Sequence, residues 1–171
     1  MNSPSEVWNW PLFTEEFCQM MIEEAEYYNK WTIDRHGFYA TNDILLDDMK
    51  LDEMYERVFQ EFVYPCAKHI WKLEGKSWGE RMKSENFIVR YQPAIQAHLN
   101  CHIDDSNYSL TIGLNDAFEG GGTWFPRQKT LATPSIGDCT LFPMPTHKHA
   151  GMPVTDGKRY IIVSFCKKGA V

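Results

Sequence analysis

At 171 residues and 19.9 kDa the chain is long enough for one domain around one core. Its 43% hydrophobic and 23% charged residues fit a globular protein, and a net charge of -6 with no long basic run argues against a nucleic-acid backbone as the main partner. Five cysteines, an odd number at wide spacing without a Cys-x-x-Cys, argue against a disulfide framework or a thiolate zinc site.

The start, Met-Asn-Ser-Pro-Ser-Glu, has no basic n-region and no apolar h-region, and no stretch approaches a membrane span. With the cysteines read as buried free thiols, the expectation is a cytoplasmic protein without a membrane partner. Residues 14 to 30 predict a helix. Thr14 can cap it, acids follow in the first turn, and Phe17, Met21, Ala25 and Tyr28 recur at helical spacing. Residues 51 to 64 predict a second helix, with Leu51, Met54, Tyr55, Val58, Phe59 and Phe62 on one broad face. Pro65 is expected to end or kink it.

From about residue 85 the period changes to two. Phe87, Val89 and Tyr91 alternate with Ile88 and Arg90, and Tyr108, Leu110, Ile112 and Leu114 alternate with Ser109, Thr111 and Gly113. The runs 138–142 and 159–165 are β-branched or aromatic and bounded by turn residues. Helices followed by short strands predict an α+β domain over 1–171. Its core, about 85–168, would be a double-stranded β-helix (jelly-roll), with a helical N-terminal part, about 1–84, packed outside. Thr111 and Gly113 face away from their strand's apolar stripe, so both are expected to line a cavity, Gly113 leaving room for a bound molecule.

The chemistry starts at His102-Ile103-Asp104. On an extended strand an imidazole and a carboxylate two residues apart share a face, with Ile103 turned away. A histidine from a distant strand would complete a two-histidine, one-carboxylate triad, the pattern of non-haem iron(II) oxygenases, and His147-Lys148-His149 supplies the candidates. Alone, His-x-Asp is as readily a surface hydrogen-bonded pair. Arg159 sharpens it. After the Asp156-Gly157 turn signal it opens an apolar strand, and an arginine buried there needs a buried anion, such as the far carboxylate of 2-oxoglutarate.

These residues carry a family resemblance. Phe87-Ile-Val-Arg-Tyr-Gln-Pro93, His102-Ile-Asp-Asp-Ser106, Leu114-Asn115, Phe118-Glu-Gly-Gly-Gly122, Thr146-His-Lys-His-Ala-Gly-Met-Pro153 and Gly157-Lys-Arg-Tyr-Ile-Ile-Val-Ser-Phe165 resemble, in order, motifs of the C-terminal catalytic domain of the procollagen lysyl hydroxylases. Trp10-Pro-Leu-Phe-Thr14 and Tyr27-Tyr-Asn-Lys-Trp31 extend the likeness to nearly the whole chain. The resemblance implies iron(II) on His102, Asp104 and His149, 2-oxoglutarate on Arg159 with Tyr91 in contact, and O2 and ascorbate as further requirements. Thr111 is placed beside the cosubstrate. The implied reaction is hydroxylation of lysyl residues in a collagen-like polypeptide, coupled to conversion of 2-oxoglutarate to succinate. The tail Cys166-Lys-Lys-Gly-Ala-Val171, Cys101 and a shortened loop between Asn115 and Phe118 depart from the family.

Other readings stand beside it. The same chemistry could serve prolyl residues, a free amino acid or another small amino-acid-like substrate, and the acidic balance counts against a nucleobase. A non-catalytic cupin-like module holding zinc or nickel is the alternative from another class. The assembly is read as a monomer or homodimer. His147 is expected to be second to His149, either behind the site or exposed, and His36, His69 and His98 to be structural or exposed. Glu119 to Gly122 lacks the Lys-Ser/Thr of a phosphate loop and predicts a tight turn or bulge. Asp105, Asp116 and Glu119 are placed near the mouth, where they would attract a lysine ammonium or simply be solvated.

Overall fold

A computed structural model describes residues 5–35, 39–72 and 83–167; His36 and the tail beyond Lys167 lie outside these residues. The chain order is β1 (Trp8–Pro11), α1 (Glu15–Tyr28), β2 (Asp43–Leu45), α2 (Asp52–Val58), a π-helical turn (Phe59–Val63) and α3 (Tyr64–Trp71). Ten strands follow: β3 (Lys83–Tyr91), β4 (Leu99–His102), β5 (Tyr108–Gly113), β6 (Phe118–Gly120), β7 (Thr123–Phe125), β8 (Thr130–Ala132), β9 (Asp138–Pro143), β10 (His149–Gly151), β11 (Val154–Gly157) and β12 (Arg159–Lys167). They build a six-stranded sheet, β1-β9-β5-β12-β3-β2, a four-stranded sheet, β4-β10-β7-β8, and a two-stranded ribbon, β11-β6. This is the expected double-stranded β-helix with helices outside.

Strand alternation sets what each face does. On β12, Tyr160, Ile162 and Cys166 join the apolar core that also holds Met21, Ala25, Tyr55 and Phe59 from the helices, while Ile161 and Val163 pack with Phe87, Val89 and Tyr91 of β3. One face of the large sheet therefore seats the helices, and the other is free to line a cavity. Two polar pairs lie on the helical face: Tyr55 and Ser164 hydroxyls meet at 2.8 Å, and Asn86 donates to Asp52 at 2.9 Å.

Helix α1 matches its prediction. The Thr14 hydroxyl accepts from the Phe17 N–H, and Asn29 ends the helix in the left-handed region. The second helix departs from its own. Pro65 neither ends nor breaks the helical path; the chain passes through the π turn and continues as α3 with Pro65 in its first turn. A proline is tolerated there because first-turn N–H groups need no intrahelical partner. The wider turn also shifts the buried face, so Val63 is buried and Phe62 is 52% exposed.

Two short strands lie in the N-terminal part expected to be helical. β1 pairs with β9 and β2 with β3, so both complete the large sheet. Gly113 is a further correction. A side chain there would meet the Ser135 carbonyl at 3.0 Å, so the glycine makes room for a neighbouring loop and not for a bound molecule.

Candidate metal and cosubstrate site

His102 ends β4, His149 opens β10, and the two are register partners across that antiparallel pair. Asp104 follows β4 by two residues in the turn region, not on the strand itself, yet its carboxylate still comes back to the same point. Ligand atoms of the three residues lie within 4.8 Å of one another, and all three residues are buried. Ile103 is 42% exposed between them and forms part of the cavity rim.

The hydrogen bonds settle which ring nitrogens face inward. His102 Nδ1 donates to the Asn100 carbonyl at 2.7 Å, and His149 Nδ1 donates to the His147 carbonyl at 3.0 Å. Each Nε2 is then left with a lone pair directed at Asp104: His102 Nε2 is 3.1 Å from Oδ1 and His149 Nε2 is 3.7 Å from Oδ2. Two lone pairs and a carboxylate converging in a buried space are stabilised by a cation at their centre, and backbone-held imidazoles are the usual outer support of such ligands. Ser109 donates to Asp104 Oδ2 at 2.5 Å and fixes the carboxylate's rotation.

The electrostatics agree. Burial raises the Asp104 carboxyl, but the His102 and His149 imidazoles and the Ser109 hydroxyl against it outweigh this and hold it below the usual range. Burial pulls His149 below its ordinary value against the opposing pull of Asp104, which keeps the ring neutral and able to donate a lone pair. The rings are packed as well. Phe142 lies edge-on to His149 at 4.9 Å between centroids, and Tyr39 leans on His102 at 4.8 Å. The donor set suits a divalent transition ion with mixed nitrogen and oxygen ligands.

The three residues open onto a cavity of about 330 Å³ between the sheets. Arg159, Tyr91 and Thr111 line it too. Arg159 is 4% exposed and, among the described residues, makes no ion pair; its guanidinium lies 5.6 Å from the Tyr91 ring centroid. Burial draws it below its ordinary value, though a guanidinium stays charged at any working pH. Tyr91 is pushed up to about 12 by burial, against the pull of Arg159, so it remains a neutral donor. Gly121, at φ +72°, makes space for the arginine: a side chain there would meet Arg159 Cδ at 3.0 Å. The glycine run thus forms the expected turn, at the irregular pairing of β6 with β11.

His147 is fully buried but outside the triad. It accepts from or donates to the Thr146 hydroxyl at 2.9 Å and bonds the Ser5 carbonyl at 2.8 Å, tying down the N-terminal segment. His69 and His98 are exposed. Of the three acids placed at the mouth, only Asp105 lines the cavity; Asp116 and Glu119 are exposed away from it. Ser109, Arg35, Tyr39 and Thr41 are site residues that sequence reasoning passed over. Ser109 had a signal, since it shares the Thr111 face of β5, whereas the other three come from a segment without periodicity. All five cysteines are free thiols; Cys18, Cys139 and Cys166 are buried, Cys101 is exposed and Cys66 lies between. Among the described residues, no helix is long and apolar enough to cross a membrane.

Comparison with known proteins places this geometry. The family model of the OGFOD2-like domain matches residues 1–76. The rat multifunctional procollagen lysine hydroxylase and glycosyltransferase LH3 is 34% identical over 94% of the chain, and the human procollagen-lysine,2-oxoglutarate 5-dioxygenase 2 is 32% identical over 95%. The chain spans 23% of the length of each of these relatives. Among solved structures, the viral collagen prolyl hydroxylase of Paramecium Bursaria Chlorella virus-1, in its complex with 2-oxoglutarate, superposes with a TM-score of 0.66 at 18% identity, covering 96% of this chain and 97% of that one. By sequence the chain is similar, over nearly its whole length, to a part of the procollagen-lysine 2-oxoglutarate dioxygenases, and its fold is that of the solved 2-oxoglutarate–iron(II) oxygenases.

Proposed function

We propose that the chain is an iron(II)- and 2-oxoglutarate-dependent hydroxylase of lysyl residues in a polypeptide, formed as one domain over 1–171. The observation that carries this reading is the pairing, in one cavity, of a buried His102-Asp104-His149 donor set with a buried arginine that has no ion-pair partner among the described residues. The triad would hold iron. Arg159 would take the far carboxylate of 2-oxoglutarate through its two-pronged donor edge, with the Tyr91 hydroxyl as a neutral companion and Thr111 on the adjoining wall.

Bound iron, with 2-oxoglutarate and O2, supplies oxidation of an unactivated C–H bond coupled to loss of carbon dioxide and formation of succinate. The protein's own residues do the rest. The Asn100 and His147 carbonyls orient the imidazoles, and Ser109 holds the carboxylate. Apolar walls from Phe87, Val89, Ile161 and Val163 keep water from the reacting centre. The lysyl assignment rests on the sequence relationship to lysine hydroxylases, and collagen-like Lys peptides are the first substrates to offer. Ascorbate would serve as reductant. The free thiols support a reducing compartment such as the cytoplasm.

The test is succinate release. Protein loaded anaerobically with iron(II) and 2-oxoglutarate is exposed to O2 with and without Lys-containing collagen-like peptides, beside His149→Ala. Peptide-stimulated succinate with a gain of about 16 mass units on the peptide, both lost in the variant, is the expected result. Stimulation by prolyl peptides or free amino acids alone would move the substrate. Absence of succinate from protein shown to hold zinc or nickel tightly would replace the enzyme by a metal-binding module.

A further inference from the structure

We infer that Asp105 is the specificity-determining residue for a cationic substrate side chain, and that Lys167 occupies its carboxylate when no substrate is bound. This rests on the lysyl reading above. Asp105 follows the proposed ligand Asp104 directly, yet its side chain is 95% exposed while that of Asp104 is 3% exposed, so the chain turns one carboxylate toward the metal and the next toward the mouth. Asp105 also lines the cavity.

Strand register places this rim at the triad's end of the cavity. Arg159 and Phe165 stand at opposite ends of the inward-facing row of β12, and Ser109, which holds Asp104, is the register partner of Phe165. The wall here is Phe87 edge-on to Phe165 at 5.1 Å, with Val163 and Ile103 beside them. An apolar wall ending in a carboxylate matches a lysine side chain, a long aliphatic stem with an ammonium tip.

The structure already contains the interaction in miniature. Lys167 Nζ lies 2.6 Å from Asp105 Oδ2, an ammonium in the place a substrate ammonium would take. Both partners are exposed, so the pair is weak and exchanges readily. The other cation at the rim, Arg35, is committed elsewhere: it pairs with buried Asp43 at 2.9 Å and with Glu85, and it stacks on Phe87 at 4.4 Å. Asp105 is thus a carboxylate of the cavity lining whose partner, Lys167, is exposed and displaceable, so it can receive an added positive charge.

Binding and turnover separate this idea from the lysyl reading. Anisotropy of a labelled Lys peptide, and of its norleucine counterpart lacking the ammonium, is measured without oxygen on the iron- and 2-oxoglutarate-loaded protein, and hydroxylation is then scored by mass. The wild type should prefer Lys over norleucine by about tenfold, Asp105→Asn should reduce that preference to within about twofold, and Lys167→Met should tighten the Lys peptide several-fold while leaving norleucine unchanged. An intact preference in Asp105→Asn, or weaker Lys binding in Lys167→Met, overturns the assignment even if lysine is hydroxylated. Asp105-dependent Lys binding without hydroxylation upholds the ammonium site and removes lysine as the oxidised residue. Equal binding of both peptides by the wild type overturns the ammonium site, and if lysine is also not hydroxylated the lysyl reading falls with it.

Discussion

Replacing Arg159 should damage cosubstrate binding and spare the fold, and the structure gives the reason for both. The guanidinium is 4% exposed, has no ion-pair partner among the described residues, and is drawn below its ordinary value by burial, against an opposing pull from Tyr91. With no anion beside it among the described residues, its removal should relieve a cost instead of breaking a pair. On the proposed reading, bound 2-oxoglutarate would make it half of a desolvated, two-pronged ion pair. Losing one partner of such a pair costs about 2–5 kcal/mol, or roughly 30-fold to several-thousand-fold in Kd. Arg159→Ala should therefore weaken 2-oxoglutarate by about 100-fold, leave iron affinity within about threefold, and change Tm little without the cosubstrate. Its wild-type Tm gain on adding 2-oxoglutarate should disappear. Arg159→Lys should fall between, since it keeps the charge and loses the fork. Anaerobic calorimetry with 2-oxoglutarate, iron dialysis and thermal melts read the three effects. Normal 2-oxoglutarate affinity in Arg159→Ala, or lost iron binding with unchanged cosubstrate affinity, would refute the reasoning.

Three further outcomes follow from neighbouring residues. Tyr91→Phe should weaken 2-oxoglutarate by about fivefold, the loss of one neutral hydrogen bond worth about 1 kcal/mol, with no change in pH dependence below pH 9, because the phenol is pushed up to about 12. Ser109→Ala frees the Asp104 carboxylate to rotate and should weaken iron by about 10- to 100-fold in equilibrium dialysis, with Ser109→Thr recovering part of it. Glu56→Gln should stabilise the protein at neutral pH by at most about 1 kcal/mol once solvent screening of this half-buried group is allowed for. Burial raises the Glu56 carboxyl above 4.5, so its protonated form favours the fold; that contribution is present below pH 4.5 and lost as pH rises through the raised value. Denaturant melts should show the Glu56→Gln advantage closing below pH 4.5; an advantage that persists there would contradict the sign.

The site was legible in sequence where its chemistry is local. His102 and Asp104 are two residues apart, and Arg159 opens a strand whose next six residues include only one polar one, Ser164, so a misplaced charge stands out. Period-two patterning on β5 also separated the cavity face from the helix face, with Thr111 inward and Leu110 and Ile112 toward the helices. Legibility failed where long-range contact decides. β1 is four residues long and exists because β9, some 130 residues away, pairs with it. β2 is three residues long and depends on β3 in the same way. Pro65 does not end the helical path because the π turn before it resets the helix so that its missing N–H falls in a first turn. Gly113 obeyed the alternation but met the Ser135 loop, which no local pattern announces. His147 and His149 were told apart by the family resemblance and not by local pattern; in the structure the Ser5 carbonyl bonds His147, while His149 faces Asp104.

The central claim is that His102, Asp104 and His149 hold iron while Arg159 holds 2-oxoglutarate in the same cavity. A crystal structure of protein loaded anaerobically with iron(II) and 2-oxoglutarate, with anomalous data collected at the iron edge, tests it most directly. The account predicts one anomalous peak bonded to His102 Nε2, His149 Nε2 and an Asp104 oxygen, with 2-oxoglutarate chelating it and its far carboxylate on the Arg159 guanidinium. Iron bound elsewhere, or 2-oxoglutarate ordered away from Arg159, would contradict it.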